Sequence, residues 1–162
     1  LLSTAQTILE DNAQFTARFS DVIYPKPLAI VDRTLRLTGQ EQCFDISRPM
    51  YIFHDESLTP LFIKENVTFI PLKITDKQVD MSQVFAIIAQ LGFHDVWVEA
   101  GAKMTSHLHA KGLVNTSHIY IAPYIFGSKG QDAYDGELSF SQVPQDIQWI
   151  PMGNNVRALV NW

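Results

Sequence analysis

What this chain has little of already limits what it does. Cysteine occurs once among the 162 residues, at Cys43. No disulfide can form within the chain, and zinc sites built on thiolate clusters are excluded. A reducing cytoplasm is the expected compartment. Long apolar runs are also missing: the stretch from Ile119 to Phe126 is typical of the longest, far below the ~20 residues that span a bilayer. Neither a transmembrane helix nor a membrane partner is expected. Positive charge is scarce, with 12 Lys and Arg against 17 Asp and Glu for a net charge of -5. Without a basic run, a nucleic-acid partner is not expected either. Glycine and proline, at 8 each, are too few for collagen-like or low-complexity sequence. The chain opens on Leu1 and not Met, and its start lacks the basic, apolar and small-residue regions of a signal peptide. It reads as a truncated start.

What remains is apolar for 46% of its length, enough for one core, so a single domain over 1–162 is expected. Apolar positions at Leu2, Ala5, Ile8 and Leu9 repeat with helical spacing and predict a short helix ending near Asp11 and Asn12. Phe15 to Arg18 reads as extended, and Tyr24-Pro25-Lys26-Pro27 cannot be helical. Strands are predicted at Leu28 to Asp32, Met50 to His54 and Val67 to Leu72, with a turn at Thr38-Gly39-Gln40. Val79, Met81, Val84, Ile87, Ile88 and Leu91 then mark a helix stopped by Gly92. Val96-Trp97-Val98 reads as a strand covered on both faces, followed by a helix from Gly101 to Lys111 and a buried strand from Ile119 to Ile125. This alternation implies an α/β fold with a mixed, mostly parallel sheet. Ile147 to Ile150 and Val156 to Trp162, separated by Gly153-Asn154-Asn155, predict an antiparallel C-terminal hairpin. Two long connections, near Asn12 to Pro27 and Gly127 to Gln142, are where function is expected.

The best local chemical signal is Val98-Glu99-Ala100-Gly101-Ala102, where a strand passes through an acidic and several small residues into a helix. Helix-start amides suit an anion such as a pyrophosphate, although small residues at such a turn also serve tight backbone alone. Glu99 must keep water or find a partner. Asp11, Arg18, Glu10 and Arg33 read first, from composition alone, as an ordinary solvated charge cluster. His107 and His109, two apart on a helix, diverge and make a poor metal pair, so no metal is expected. His54-Asp55-Glu56 reads as a strand end entering a turn, and Ser106 lacks a nucleophile elbow. Trp97 and Phe126 are expected in the core.

Three linked segments carry a resemblance: Val96 to Ala102, then Gly112-Leu113-Val114, then Ile119-Tyr120-Ile121-Ala122-Pro123 with Gly127. Together they resemble the reductase domain of the bifunctional riboflavin-biosynthesis deaminase/reductase. Thr7 to Asn12 with Phe15, Thr16 and Arg18 looks like that family's threonine-to-aspartate stretch leading to an arginine. Pro27 to Leu37 looks like its strand ending in an aspartate with basic residues beyond. The resemblance covers nearly the whole chain and implies a three-layer dihydrofolate reductase-like fold, NADPH as cofactor and a homodimer. The implied reaction reduces 5-amino-6-(5-phosphoribosylamino)uracil to its ribityl form, by hydride transfer to the sugar's C1 carbon and without a metal.

Carried over by position, the resemblance assigns Thr7, Asp11 and Arg33 to the cofactor, with Arg33 selecting the 2'-phosphate. Gly101, Ala102, Lys103, Met104, Thr105, Ser106 and His107 would cradle the cofactor phosphates. Phe15, Arg18 and Glu99 would bind the phosphoribosylaminopyrimidine, Arg18 by its phosphate and Glu99 by the pyrimidine N–H groups. Asp11 and Glu99 are the implied catalytic carboxylates. Lys103 replaces a usual threonine, Ser106 a frequent glycine, and the family's opening strand and lysine-bearing segment lie before this start. The zinc deaminase half needs a His/Cys/Cys set that one cysteine does not supply. A non-catalytic relative of the same fold, or a reductase of another pteridine or pyrimidine, are the other readings.

Overall fold

Where apolar residues follow one another without alternation, a strand must be covered on both faces. Leu28 to Val31 and Met50 to Asp55 obey this in the computed structural model, which describes residues 1–20, 22–135 and 142–162. The chain divides into two units, Leu1–Gly101 and Ala102–Trp162. In the first, β1 (Leu2–Thr4) leads into α1 (Ala5–Asp11), and a hairpin of β2 (Thr16–Phe19) and β3 (Val22–Pro25) follows. β4 (Leu28–Val31), β5 (Met50–Asp55), β6 (Val67–Leu72) and α2 (Met81–Gln90) complete it. The sheet order is β1-β4-β5-β6 with every pair parallel. Val98 adds a parallel bridge on the free side of β1, opposite Leu2.

The core of this unit lies where α1 and the loop after it meet the sheet. Ala5, Ile8, Phe15, Leu28, Ile30, Leu37, Cys43, Phe44, Met50 and Ile52 form one buried cluster. Full burial of such side chains contributes roughly 1.5–3 kcal/mol each for the larger ones. Gly39 needs to be glycine twice over: its φ is +82°, and a Cβ there would approach the Phe62 ring to 2.9 Å. In the second unit α3 (Ala102–Ala110) is followed by β7 (Thr116–Ile121), β8 (Asp146–Met152) and β9 (Asn155–Asn161) in an antiparallel sheet ordered β7-β9-β8. The mostly parallel sheet and the antiparallel C-terminal hairpin are both as expected.

Several boundaries differ. Leu2 belongs to a strand and not to the first helix, because its main chain is held by Trp97 and Glu99, far along the chain. Val96 to Val98 is not a strand covered on both faces: only Val98 bridges, and Trp97 is exposed. The strand expected at Ile119 to Ile125 starts at Thr116, ends at Ile121, pairs antiparallel and has no buried residue. Phe126 is 78% exposed and is not a core residue. The connection from Asn12 to Pro27 holds the β2–β3 hairpin, whereas residues 136–141 of the other long connection lie outside the described residues.

Candidate active site

Parallel strands deliver their following residues to one edge of the sheet, and in α/β sheets ligands bind outside that carboxyl edge. Here the edge collects Thr4 closing β1, Asp32 and Arg33 after β4, Asp55 closing β5, and Glu99 after the Val98 bridge. Each is fixed locally. Thr4 caps α1, its Oγ1 accepting from the Thr7 amide at 3.2 Å and lying 3.1 Å from the Thr7 hydroxyl. Asp32 is buried, and its carboxylate accepts from the amides of Arg36 at 3.0 Å and Leu37 at 2.9 Å. It orders the loop beyond Arg33. The Asp55 carboxylate closes a turn on Ser57, whose amide and hydroxyl hold its pKa below the usual value. Glu99 is exposed, and its Oε1 accepts the Trp97 indole N–H at 2.9 Å. The Ser3 hydroxyl donates to its main-chain carbonyl.

The remaining expected residues fall into three groups. Thr7 and Asp11, four apart on α1, share one helix face, and Asp11 is exposed at its end. Arg18 stands exposed on β2, donating to the Gln14 side chain at 2.8 Å and to Thr16 at 3.3 Å. The ring of Phe15 is 8% exposed and belongs to the core cluster. Its main chain sits at φ +52°.

Gly101 is exposed, and a side chain there would meet nothing within 4 Å. In the second unit Ala102, Lys103, Met104, Thr105, Ser106 and His107 form the first two turns of α3. Lys103 is exposed, and the first turn carries no acidic residue. Ser106 is fully buried and its hydroxyl accepts the Asp135 amide at 2.7 Å, so it ties down a loop. His109 is also buried, edge-on to Trp162 and Tyr134, while His107 is half-buried. Among the described residues no three His, Cys, Asp or Glu side chains gather as a metal site. No helix among them is long and apolar enough to cross a membrane.

A family model described as the RibD C-terminal domain matches residues 1–155. This chain belongs to the RibD C-terminal domain family. The riboflavin biosynthesis protein RibD of Buchnera aphidicola subsp. Baizongia pistaciae is 27% identical over 153 residues, covering 90% of this chain and 40% of that protein. The 5-amino-6-(5-phosphoribosylamino)uracil reductase of Buchnera aphidicola subsp. Acyrthosiphon pisum is 24% identical over 143 residues, or 81% of this chain and 69% of that one. The chain thus spans well under half the length of the RibD relatives it matches. Among solved structures, the Saccharomyces cerevisiae riboflavin biosynthesis reductase Rib7 superposes with a TM-score of 0.79 at 21% identity, over 99% of this chain and 73% of that one. The deaminase/reductase of Thermotoga maritima gives 0.77 at 21% identity, over 99% and 44%. These likenesses show the fold, which is that of the RibD reductase domain.

Each unit by itself offers groups that suit a phosphate. In the first unit the carboxyl edge offers hydroxyls and Arg33, and Gly101 leaves open space; in the second, the start of α3 has helix-end amides beside a lysine and no acidic residue in its first turn. Trp97, expected in the core, is exposed and partners Glu99, and one residue was not singled out from the sequence: Arg48, a buried cation in the segment before β5. The only signal for Arg48 was a basic residue two positions before a mainly apolar strand.

Proposed function

We propose that this chain is an NADPH-dependent reductase domain that converts 5-amino-6-(5-phosphoribosylamino)uracil to its 5-phosphoribitylamino product. The observation that carries this reading is the carboxyl edge of the parallel sheet, where Thr4, Arg33 and Glu99 arrive together in a chain of this family. When bound, NADPH supplies the hydride; the chain's residues bind and orient. Arg18 holds the substrate phosphate through its planar fork. Glu99, with Oε1 already occupied by Trp97, offers Oε2 to the N–H groups of the pyrimidine. Thr7 and Asp11 present a hydroxyl and a carboxylate from one face of α1 to the cofactor, and Asp11 also serves the reacting centre. Arg33 takes the 2'-phosphate, and residues 101 to 107 take the pyrophosphate, with Ser106 contributing by holding the Asp135 amide. We take the protein to work as a homodimer in a reducing, cytoplasmic setting, which suits the exposed Tyr120, Ile121 and Trp149 of the C-terminal sheet and the free Cys43.

The test is a steady-state assay following NADPH oxidation with this substrate, with NADH in parallel. Turnover that depends on the substrate and prefers NADPH is expected. Turnover only with another heterocycle would replace the substrate, and no NADPH oxidation with any would leave a non-catalytic relative.

A further inference from the structure

We infer that Arg48 is a positioning residue for the substrate-phosphate contact: it pins the Gln14-Phe15 turn to the parallel sheet and thereby aims Arg18. This rests on the reading of Arg18 given above. Arg48 is 4% exposed, and burial lowers its pKa. Among the described residues no carboxylate lies within ion-pair distance of it, the one such pair being Arg36 with Asp32. Its charge goes instead to main-chain carbonyls. Nη1 donates to Phe15 at 2.6 Å, and Nη2 donates to Gln14 at 2.5 Å and to Cys43 at 3.3 Å. Nε is buried without a hydrogen-bond partner.

A buried cation is an expensive filler, since an apolar side chain of similar volume is often as stable or more so. What an apolar residue cannot do is fix carbonyl positions. The carbonyls of Gln14 and Phe15 both face the guanidinium, and the turn they form holds Phe15 at φ +52°, a conformation uncommon for any residue with a side chain. Arg48 is itself anchored, because its carbonyl accepts from the Asn66 side chain at 2.9 Å and its neighbour Pro49 accepts from the Leu28 amide at 3.0 Å. The pinned turn is the root of the β2–β3 hairpin. That hairpin is exposed along most of its length, so its own packing does little to direct it. Arg18 emerges three residues beyond Phe15, and the same turn holds it through the Gln14 side chain. A cation that is out of reach of any ligand thus sets the place of the cation that meets one.

The test compares Arg48→Met and Arg48→Lys with the parent in the intact protein, by amide hydrogen exchange and by kinetics. Arg48→Met is expected to raise exchange at Gln14 to Phe19 by about tenfold or more, with β5 and β6 unchanged. The KM for the phosphoribosyl substrate should rise by about tenfold, with the KM for NADPH within about twofold, and Arg48→Lys should recover part of both losses. Adding Arg48→Met to Arg18→Ala should cost no further activity, because the two act as one unit. Unchanged exchange at Gln14 to Phe19, or fully additive losses in the double variant, would overturn the inference. Should Arg48→Met fail to fold, Arg48→Lys carries the same readouts. A parent protein that turns over no phosphoribosyl substrate would overturn the function and the aim of Arg18 together, whereas unchanged exchange in an active enzyme would overturn the tether alone.

Discussion

Burial acts in opposite directions on two neighbouring groups of different charge type. It pushes the Cys43 thiol up to about 11 and pulls the Arg48 guanidinium down, in each case toward the uncharged form. Because the thiolate is the reactive species, Cys43 should resist iodoacetamide in the native protein near neutral pH and react promptly once urea unfolds it. Mass spectrometry of the two samples reads the difference, and rapid native alkylation would show the pocket to be open. His109 supplies a pH effect with a definite sign. Burial holds its folded pKa below 6.5, so as pH falls through about 6.5 the unfolded chain takes up a proton that the folded chain does not. Stability is expected to drop on that acid side, visible as a falling Tm between about pH 7 and 5.5, and His109→Phe should flatten this slope. At the site itself, Arg18→Ala should raise the substrate KM by about 10- to 100-fold, the loss of one charge-assisted contact, and leave the KM for NADPH nearly alone. Equal loss of both would move Arg18 out of the phosphate site.

Capping chemistry decides where the first helix begins. Thr4 closes β1 and opens α1 in one residue, its hydroxyl serving the Thr7 amide. Thr4→Ala should therefore cost about 1 kcal/mol in denaturant unfolding; a neutral result would mean that water replaces the cap. The elements that the sequence made legible are those held by their own residues: α2 between the Asp80 cap and Gly92, β4 and β5 with unbroken apolar runs, and the Gly153 turn of the C-terminal hairpin. The elements misplaced were those held from a distance. β1 has three residues and depends on Val98 for its second neighbour, which no local period reveals. Trp97 looked like core because Val-Trp-Val is apolar, yet its indole is spent on Glu99. Phe15 packs into the core at a positive φ that its sequence does not announce.

For the molecule as a whole, ligand linkage offers the broadest check. A ligand bound only by the folded state adds RT ln(1 + [L]/Kd), about 2.7 kcal/mol at a hundred times Kd. NADPH at that excess should raise the Tm by several degrees, while NADH raises it less if Arg33 reads the 2'-phosphate. Equal shifts would remove Arg33 from that role. The family and the mostly parallel sheet were legible because linked motifs run along nearly the whole chain in order. The aim of the candidate site was not, since it depends on tertiary ties such as Arg48 to Phe15.

The bridge between Leu2 and Val98 also bears on how the chain is made. Ser3 and Glu99, tied by a hydrogen bond, are 96 residues apart in sequence. Ribosomes add about 5–20 residues per second, so the first strand leaves the ribosome on the order of 5 to 20 s before its second neighbour exists. Through that interval the side of β1 that Val98 will bridge stays open, a template for any other extended chain. Contacts of such long range also slow folding. The nascent chain is therefore expected to need shielding until residue 98 emerges, and a fragment released before that point should aggregate where one released just after the bridge does not.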